Sequence, residues 1–280
     1  MHISEKKKLF NKTLFAWHNK HYRDMAWRQT RVPYEILVSE IMLQQTQVER
    51  VREKYRLFLR QFPSVQVLAS APLGDVLRVW SGLGYNRRAK YLHDCAKVVV
   101  KEYRGKFPTT YEELTLLPGI GMSTAGALLA FAYAHDTPMI DTNIRRILIR
   151  VFFKTKKVSD KELYAFASDL IPRGKGRMWN YAMLDLGASL CSARHHSDDC
   201  PLMKLHGKVK DFSLKKPHKK FAGSDRFYRG RILARLTHSS ASKNDLANVV
   251  GIDNELTTRL LEKLLKEHLV IFKRRRFYLP

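Results

Sequence analysis

Three segments of this chain carry residues able to do chemistry. The first is Leu116-Leu117-Pro118-Gly119-Ile120-Gly121-Met122-Ser123-Thr124-Ala125-Gly126. Two glycines one residue apart permit a tight turn and let backbone N–H groups approach an anion, and a helix starting just after them adds its positive end. Gly119, Gly121, Ser123 and Thr124 are therefore candidate phosphate-binding residues, although a lone GxG is equally a plain turn between two helices. The second segment is Pro138-Met139-Ile140-Asp141-Thr142-Asn143-Ile144-Arg145-Arg146. Asp141 can cap a helix N-terminus, with Asn143 and the arginines balancing charge, or stabilise a positive charge on a bound substrate, and the two roles are compatible. The third is Glu40, between Val38 and Ile41 in an apolar stretch. Burial beside apolar residues keeps a carboxyl protonated to higher pH and makes it a proton donor, whereas on the surface of an amphipathic helix it is only solvated.

The elements that must position these residues are helical. From Lys8 to about Met203, apolar residues recur at three- and four-residue spacing, with Ile36, Leu37, Ile41 and Met42 in one stripe and Thr124, Ala127, Leu128 and Phe131 in another. Such stripes are core faces, and this region is expected to be all-α. Phe107-Pro108 and Pro118-Gly119 mark connectors. Over 207–223 the composition changes: Lys208, Lys210, Lys215, Lys216, Lys219 and Lys220 stand against the single acid Asp211, and Gly207 and Pro217 break any helix. This is a basic linker, either a solvated connector or phosphate-binding material. After Ser224 come three helical stretches, the last with Leu256, Leu260, Leu261, Leu264 and Leu265 on one face and Asp253 or Asn254 as its cap. Val270-Ile271-Phe272 and Phe277-Tyr278-Leu279 then flank Lys273-Arg274-Arg275-Arg276, a small basic hairpin. Three helices and a ribbon resemble a winged-helix domain over 224–280, which reads as DNA-binding or as a docking or structural module.

Composition limits the partners. The chain has 280 residues and 45% hydrophobic content, enough for one extended or two smaller cores. Its 51 Lys and Arg against 26 Asp and Glu give a net charge of +25, an imbalance that self-repulsion penalises unless a polyanion sits against it. Nucleic acid is the expected partner. No apolar run is long enough to span a bilayer, so no membrane partner is expected. No apolar segment follows the N-terminal charges, and three cysteines, Cys95, Cys191 and Cys200, do not make a disulfide framework. The expected site of action is cytoplasmic, at the nucleoid.

Several motifs in order resemble a known family. Trp27-Arg28, then Pro33-Tyr34-Glu35-Ile36-Leu37-Val38-Ser39-Glu40-Ile41-Met42-Leu43-Gln44-Gln45-Thr46-Gln47-Val48, then Trp80-Ser81-Gly82-Leu83-Gly84-Tyr85 ahead of a basic helix are similar to MutY-type adenine DNA glycosylases. The string from Leu116 to Leu129, with Asp141 twenty residues beyond Gly121, resembles the helix-hairpin-helix and essential aspartate of the wider glycosylase superfamily. The resemblance runs from about Lys8 to Met203. It implies a two-lobed all-α glycosylase domain over 1–206, with a six-helix lobe at about 26–134 and a second lobe from 1–25 plus 135–206, and it implies a monomer. It further implies that Glu40 donates a proton to the departing adenine, that Asp141 stabilises the oxocarbenium-like sugar, and that Asn143 orients Asp141 or the attacking water. Gln45, Thr46 and Tyr85 would wedge into the duplex and probe the partner base, while Trp27, Arg28 and Asp185 would form the adenine site. Ser123 stands where strand-cutting relatives carry a lysine. A serine forms no Schiff base, so backbone cleavage is expected to be weak or absent.

Two departures stand out. Many family members hold a [4Fe–4S] cluster on four cysteines. Here Cys191 and Cys200 align with two of them, while Ser197 and His206 take the other places, so no cofactor is expected. Cys191, His195 or His196, Cys200 and His206 offer a Zn²⁺ alternative, against which the irregular spacing argues. Nothing from His206 to Pro280 resembles the Nudix-like domain that reads 8-oxoguanine in the family, which leaves partner recognition to the catalytic lobe or to the winged-helix-like segment. The leading expectation is a monofunctional glycosylase removing adenine opposite 8-oxoguanine or guanine in double-stranded DNA. The alternatives are a thymine or uracil mismatch glycosylase and a non-catalytic DNA-binding protein; paired carboxylates in a phosphate-accepting groove disfavour the last.

Overall fold

The computed structural model describes residues 1–154, 157–192, 197–207 and 221–280. Helices follow one another as α1 (Ile3–His21), α2 (Ala26–Gln29), α3 (Pro33–Leu43), α4 (Val48–Gln61), α5 (Val65–Ser70), α6 (Leu73–Trp80), α7 (Arg87–Tyr103) and α8 (Tyr111–Leu116). They continue as α9 (Met122–Phe131), α10 (Thr142–Leu148) with a π-helical extension Ile149–Phe153, α11 (Asp160–Leu170), α12 (Gly176–Ser189) and α13 (Met203–His206). The C-terminal part holds α14 (Asp225–Leu236), α15 (Lys243–Val250), α16 (Asn254–Lys266) and the strands β1 (Ile271–Lys273) and β2 (Arg276–Tyr278). The all-α expectation holds, with a small strand-bearing C-terminal part. The basic linker residues 208–220 lie outside the described residues.

The chain forms two compact units. One comprises Met1–Ile36, Thr109–Thr115 and Ile120–Pro217. Its centre is α9, apolar on every side and buried from Thr124 to Phe131. Phe131 stacks on Tyr181 of α12 at 4.2 Å between ring centroids. Helix α1 starts with a capping box between His2 and Glu5 and buries Phe10, Leu14 and His18, a four-residue stripe, on the side where α12 packs. Gly126 of α9 is a contact requirement: a Cβ there would lie 2.5 Å from the carbonyl oxygen of Pro138. The segment that leads to Asp141 thus runs directly over α9.

The other unit comprises Leu37–Pro108, Leu116–Gly119 and His218–Pro280. Its core gathers Phe58, Leu68, Trp80 and Leu92, all below 2% exposed, with Phe58 edge-on to Trp80. The expected stripe residues Leu37, Ile41 and Met42 are buried here and Ile36 in the first unit. Helices α14, α15 and α16 pack on one another, and Asp253 caps α16 through the N–H of Leu256. The basic hairpin forms as expected, with Ile271 opposite Tyr278 and Lys273 opposite Arg276. Arg274 and Arg275 take the left-handed backbone of its two-residue turn. The C-terminal residues join the helical ones directly, since the Gly74 N–H donates to the Pro280 carbonyl at 2.6 Å. A Cβ at Gly74 would occupy that oxygen's place, 2.5 Å away.

Candidate active site

In the first unit Asp141 is the N-cap of α10, and both of its carboxylate oxygens are engaged. Oδ1 accepts from the backbone N–H groups of Asn143 and Ile144, each at 2.8 Å, and Oδ2 accepts from the Asn143 side chain at 2.9 Å. Arg146 holds Asn143 in turn, donating to its Oδ1 at 2.7 Å, and is anchored on the carbonyls of Cys191 and Gly187. Gly187 lets this happen: a Cβ there would lie 2.5 Å from that of Asn143. Upstream, the fully buried Asn180 accepts from the Met139 N–H and donates to the carbonyls of Thr137 and Gly176. Burial pushes the Asp141 carboxyl above its ordinary 3.8, opposed by its three hydrogen bonds and by the charge of Arg146. The cap reading and the placement of Asn143 against Asp141 are both realised. The arrangement is a partly desolvated carboxylate in a fixed orientation, the form in which a negative charge best stabilises a developing cation.

The turn from α8 to α9 has the expected character. Gly119 adopts φ +77°, and its missing Cβ would sit 2.6 Å from that of Tyr91. Gly121 is the N-cap of α9, and no side chain caps that helix, so its first-turn N–H groups are available to an anion. A Cβ at Gly121 would meet nothing within 4 Å. Ser123 is half-buried and Thr124 buried, while Leu116 and Met122 beside the turn are largely exposed.

Arg28 and Asp185 meet, but as partners of each other. Arg28 donates from Nη1 and Nη2 to the two Asp185 oxygens at 2.8 and 2.7 Å, packs 4.5 Å from the Tyr181 ring centroid, and is buried with Asp185 and Trp27. His18 Nδ1 lies 3.5 Å from the same carboxylate. Desolvation lowers the His18 pKa, with Asp185 opposing.

The second unit holds Glu40, Gln45, Thr46 and Tyr85. Glu40 is half-buried on α3 between the buried Ser39 and Ile41. Gln45 and Tyr85 have φ +56° and +49°, left-handed values that cost a non-glycine residue free energy and persist only where the surroundings impose them. Arg88 imposes them. Its Nη1 donates to the carbonyls of Ile41, Met42 and Gln44, and its Nη2 to Thr46 Oγ1 and the carbonyls of Leu83 and Gly84. One guanidinium therefore ties the loop after α3 to the loop before α7. Burial pushes it down to about 10, still charged at neutral pH.

Arg88 and Asn180 are positioning residues that sequence reading missed, whereas Arg146 is one of the arginines already read as balancing charge beside Asp141. Arg88 read only as part of a basic helix; its signal was the left-handed loop glycines just before it, Gly82 and Gly84.

The cysteine region does not fit an iron–sulfur cluster. Cys191 Sγ accepts from Arg150 Nη1 at 2.8 Å, and Cys200 Sγ lies 3.8 Å from His206 Nε2. Burial pushes the Cys200 thiol up to about 11. Two thiols, one of them satisfied by a guanidinium, are not four thiolates. His195 and His196, named for a Zn²⁺ alternative, lie outside the described residues. Among the described residues no group of three His, Cys, Asp or Glu could hold a metal ion, and no helix is long and apolar enough to cross a membrane.

Residues 38–173 match HhH-GPD, the superfamily of base excision DNA repair proteins. The chain is 36% identical to an adenine DNA glycosylase of Mycolicibacterium smegmatis over 92% of its length and 91% of that protein's. It is 35% identical to one of Mycobacterium tuberculosis over 92% and 88%. Among solved structures, a thermostable thymine-DNA glycosylase matches with a TM-score of 0.70 and 30% identity over 74% of this chain and 98% of the other. An endonuclease III in complex with DNA shares the fold at a TM-score of 0.63 and 21% identity. With a helix-hairpin-helix leading into a capped aspartate and relatives matching over nine-tenths of it, the chain belongs to the adenine DNA glycosylase family of helix-hairpin-helix base excision repair proteins.

Proposed function

We propose that the protein hydrolyses the N-glycosidic bond of adenine mispaired with 8-oxoguanine or guanine in double-stranded DNA. The observation that carries the reading is the match to adenine DNA glycosylases over 92% of the chain, and the residues supply a chemistry for it. Glu40 gives a proton to the departing base. Asp141, anionic and fixed by Asn143 and the first turn of α10, steadies the electron-poor sugar until water adds. The N-terminal amides of α9, with Gly119 and Gly121 allowing close approach and Ser123 and Thr124 at its first turn, take a DNA phosphate. Gln45, Thr46 and Tyr85 fill the space vacated by the extruded nucleotide. Arg28 and Asp185, paired with each other through two hydrogen bonds, act beside Trp27 by shaping the adenine site. Ser123 has no amine, so the product is an intact strand with an abasic site.

A second reading, thymine removal opposite guanine, is favoured by the 30% identity to a thymine-DNA glycosylase. One assay separates the two. Duplexes with a single A:8-oxoG, A:G, T:G or U:G pair are incubated with the protein and treated with alkali. Strand cleavage is expected at adenine, only after alkali, and reduced at least about a hundredfold in Glu40→Gln and in Asp141→Asn. Asparagine still caps a helix, so Asp141→Asn should melt close to the parent. Cleavage confined to T or U overturns the adenine reading.

A further inference from the structure

A cleft of about 1130 Å³ lies in the second unit, its lining including Gln45, Thr46, Arg50, Tyr85, Arg226 and Phe227. One wall is made by the two loops that Arg88 ties together and the other by α14, so the C-terminal residues complete a pocket around the strained pair Gln45 and Tyr85. Its lining carries six arginines. The carboxylate on its wall, Asp225, is held by Arg259 and Lys263, and two of the arginines are engaged elsewhere: Arg229 pairs with Glu267, and Arg231 donates to the carbonyls of Val249 and Val250.

Arg226 is placed differently. It is exposed, and its guanidinium carbon lies 4.6 Å from the ring centroids of both Tyr85 and Phe221, with Nη1 donating to the Tyr85 hydroxyl. Arg88 approaches the same Tyr85 ring at 5.3 Å. A guanidinium lying against aromatic rings keeps its plane, and its in-plane N–H groups remain aimed at acceptors. Such a fork matches two adjacent acceptors on a flat molecule, which among the bases is the O6 edge of guanine with its neighbouring N7. A phosphate needs charge but not the fixed plane.

We infer that Arg226 is a specificity-determining residue that reads guanine in this cleft; in 8-oxoguanine N7 carries a hydrogen and donates, so the fork keeps only the O6 contact there. The inference rests on the proposed function for the identity of that base as the partner of the target adenine. The C-terminal segment thereby does more than raise general affinity for DNA: it completes the partner-base pocket from the side opposite Gln45 and Tyr85.

The test measures equilibrium binding at fixed salt of the full-length protein, Arg226→Ala and Arg226→Lys to duplexes holding a 2′-fluoro adenosine, which resists cleavage, opposite 8-oxoguanine, guanine, cytosine or thymine. Adenine release from the matching natural duplexes is followed in parallel. The parent is expected to bind the guanine duplex at least tenfold more tightly than the pyrimidine ones. Arg226→Ala should lose that preference while keeping its affinity for the pyrimidine duplexes, and Arg226→Lys, which keeps the charge but not the planar fork, should not restore it. An equal loss on all four duplexes with a shallower salt dependence assigns Arg226 to a phosphate and overturns the inference. So does a parent that shows no preference. Adenine release without partner preference defeats the inference and leaves the proposed function standing; preference lost in Arg226→Ala without any adenine release does the reverse. Melting curves on both variants identify a folding defect, and Arg226→Gln, a shorter planar donor, then serves in place of alanine.

Discussion

The surroundings of Asp141 and those of Gln45 and Tyr85 are built on opposite principles. Asp141 is fixed by local rules: an N-cap, a side chain two residues on, and a helix that starts where the chain meets α9. Its backbone is extended and unstrained, at φ −94°. Gln45 and Tyr85 are held against local preference, in left-handed conformations that depend on one arginine from a third segment. A group that must hold a charge in place is best served by rigidity from short-range contacts. Loops whose shape is imposed from behind suit the insertion role proposed for Gln45 and Tyr85.

The sharpest way to break that contrast is Arg88→Met. The substitution keeps much of the buried volume but leaves the carbonyls of Ile41, Met42, Gln44 and Leu83 without the Arg88 donor, while that of Gly84 keeps the Trp80 indole N–H at 3.2 Å. The carbonyls of the exposed Gln44 and Gly84 can recover water while those of the buried Ile41, Met42 and Leu83 cannot, so the expected loss is at least roughly 3 kcal/mol. Denaturant unfolding measures it. Below the melting transition, affinity for mismatched duplex should fall while the Asp141 network, in the other unit, is unaffected. An Arg88→Met protein with parental stability would mean that the two loops hold themselves.

Arg146→Gln tests the other side. Desolvation raises Asp141, and the charge of Arg146 works against that rise. Removing the charge disfavours the anion further, so the pKa climbs and the acid limb of adenine release moves to higher pH. The native state then binds the Asp141 proton more firmly than the unfolded chain does. Its titration therefore lowers stability as pH increases from 3.8 through the folded value, and more so in the variant. A pH–rate profile unchanged on its acid side would show that the Arg146 charge has no bearing on the titration of the carboxylate proposed to react.

The same contrast explains what was legible in the residue string. The helical stripes, the caps at Asp141 and Asp253, the C-terminal hairpin and the Asp141–Asn143 pairing all follow from short-range spacing. Arg88 sits in Asn86-Arg87-Arg88-Ala89-Lys90, where nothing distinguishes the buried arginine from the exposed one beside it. Its role depends on carbonyls from residues more than forty positions away. The pairing of Arg28 with Asp185, 157 residues apart, is a tertiary fact of the same kind. So is the meeting of α14 with the Tyr85 loop, which no short-range spacing encodes.

The turn from α8 to α9 carries two glycines that test folding and binding separately. Gly119 needs its positive φ and its contact with Tyr91, so Gly119→Ala should cost about 1–2 kcal/mol and weaken DNA binding as the turn shifts. Gly121 has an ordinary φ of −96° and open space where a Cβ would project. Gly121→Ala should leave the melting temperature within about a degree or two of the parent. If a phosphate seats against the first turn of α9, the added methyl stands in its path, and duplex affinity should still drop several-fold with a smaller salt dependence. Intact binding in Gly121→Ala would place the phosphate elsewhere and leave the open amides of α9 to water.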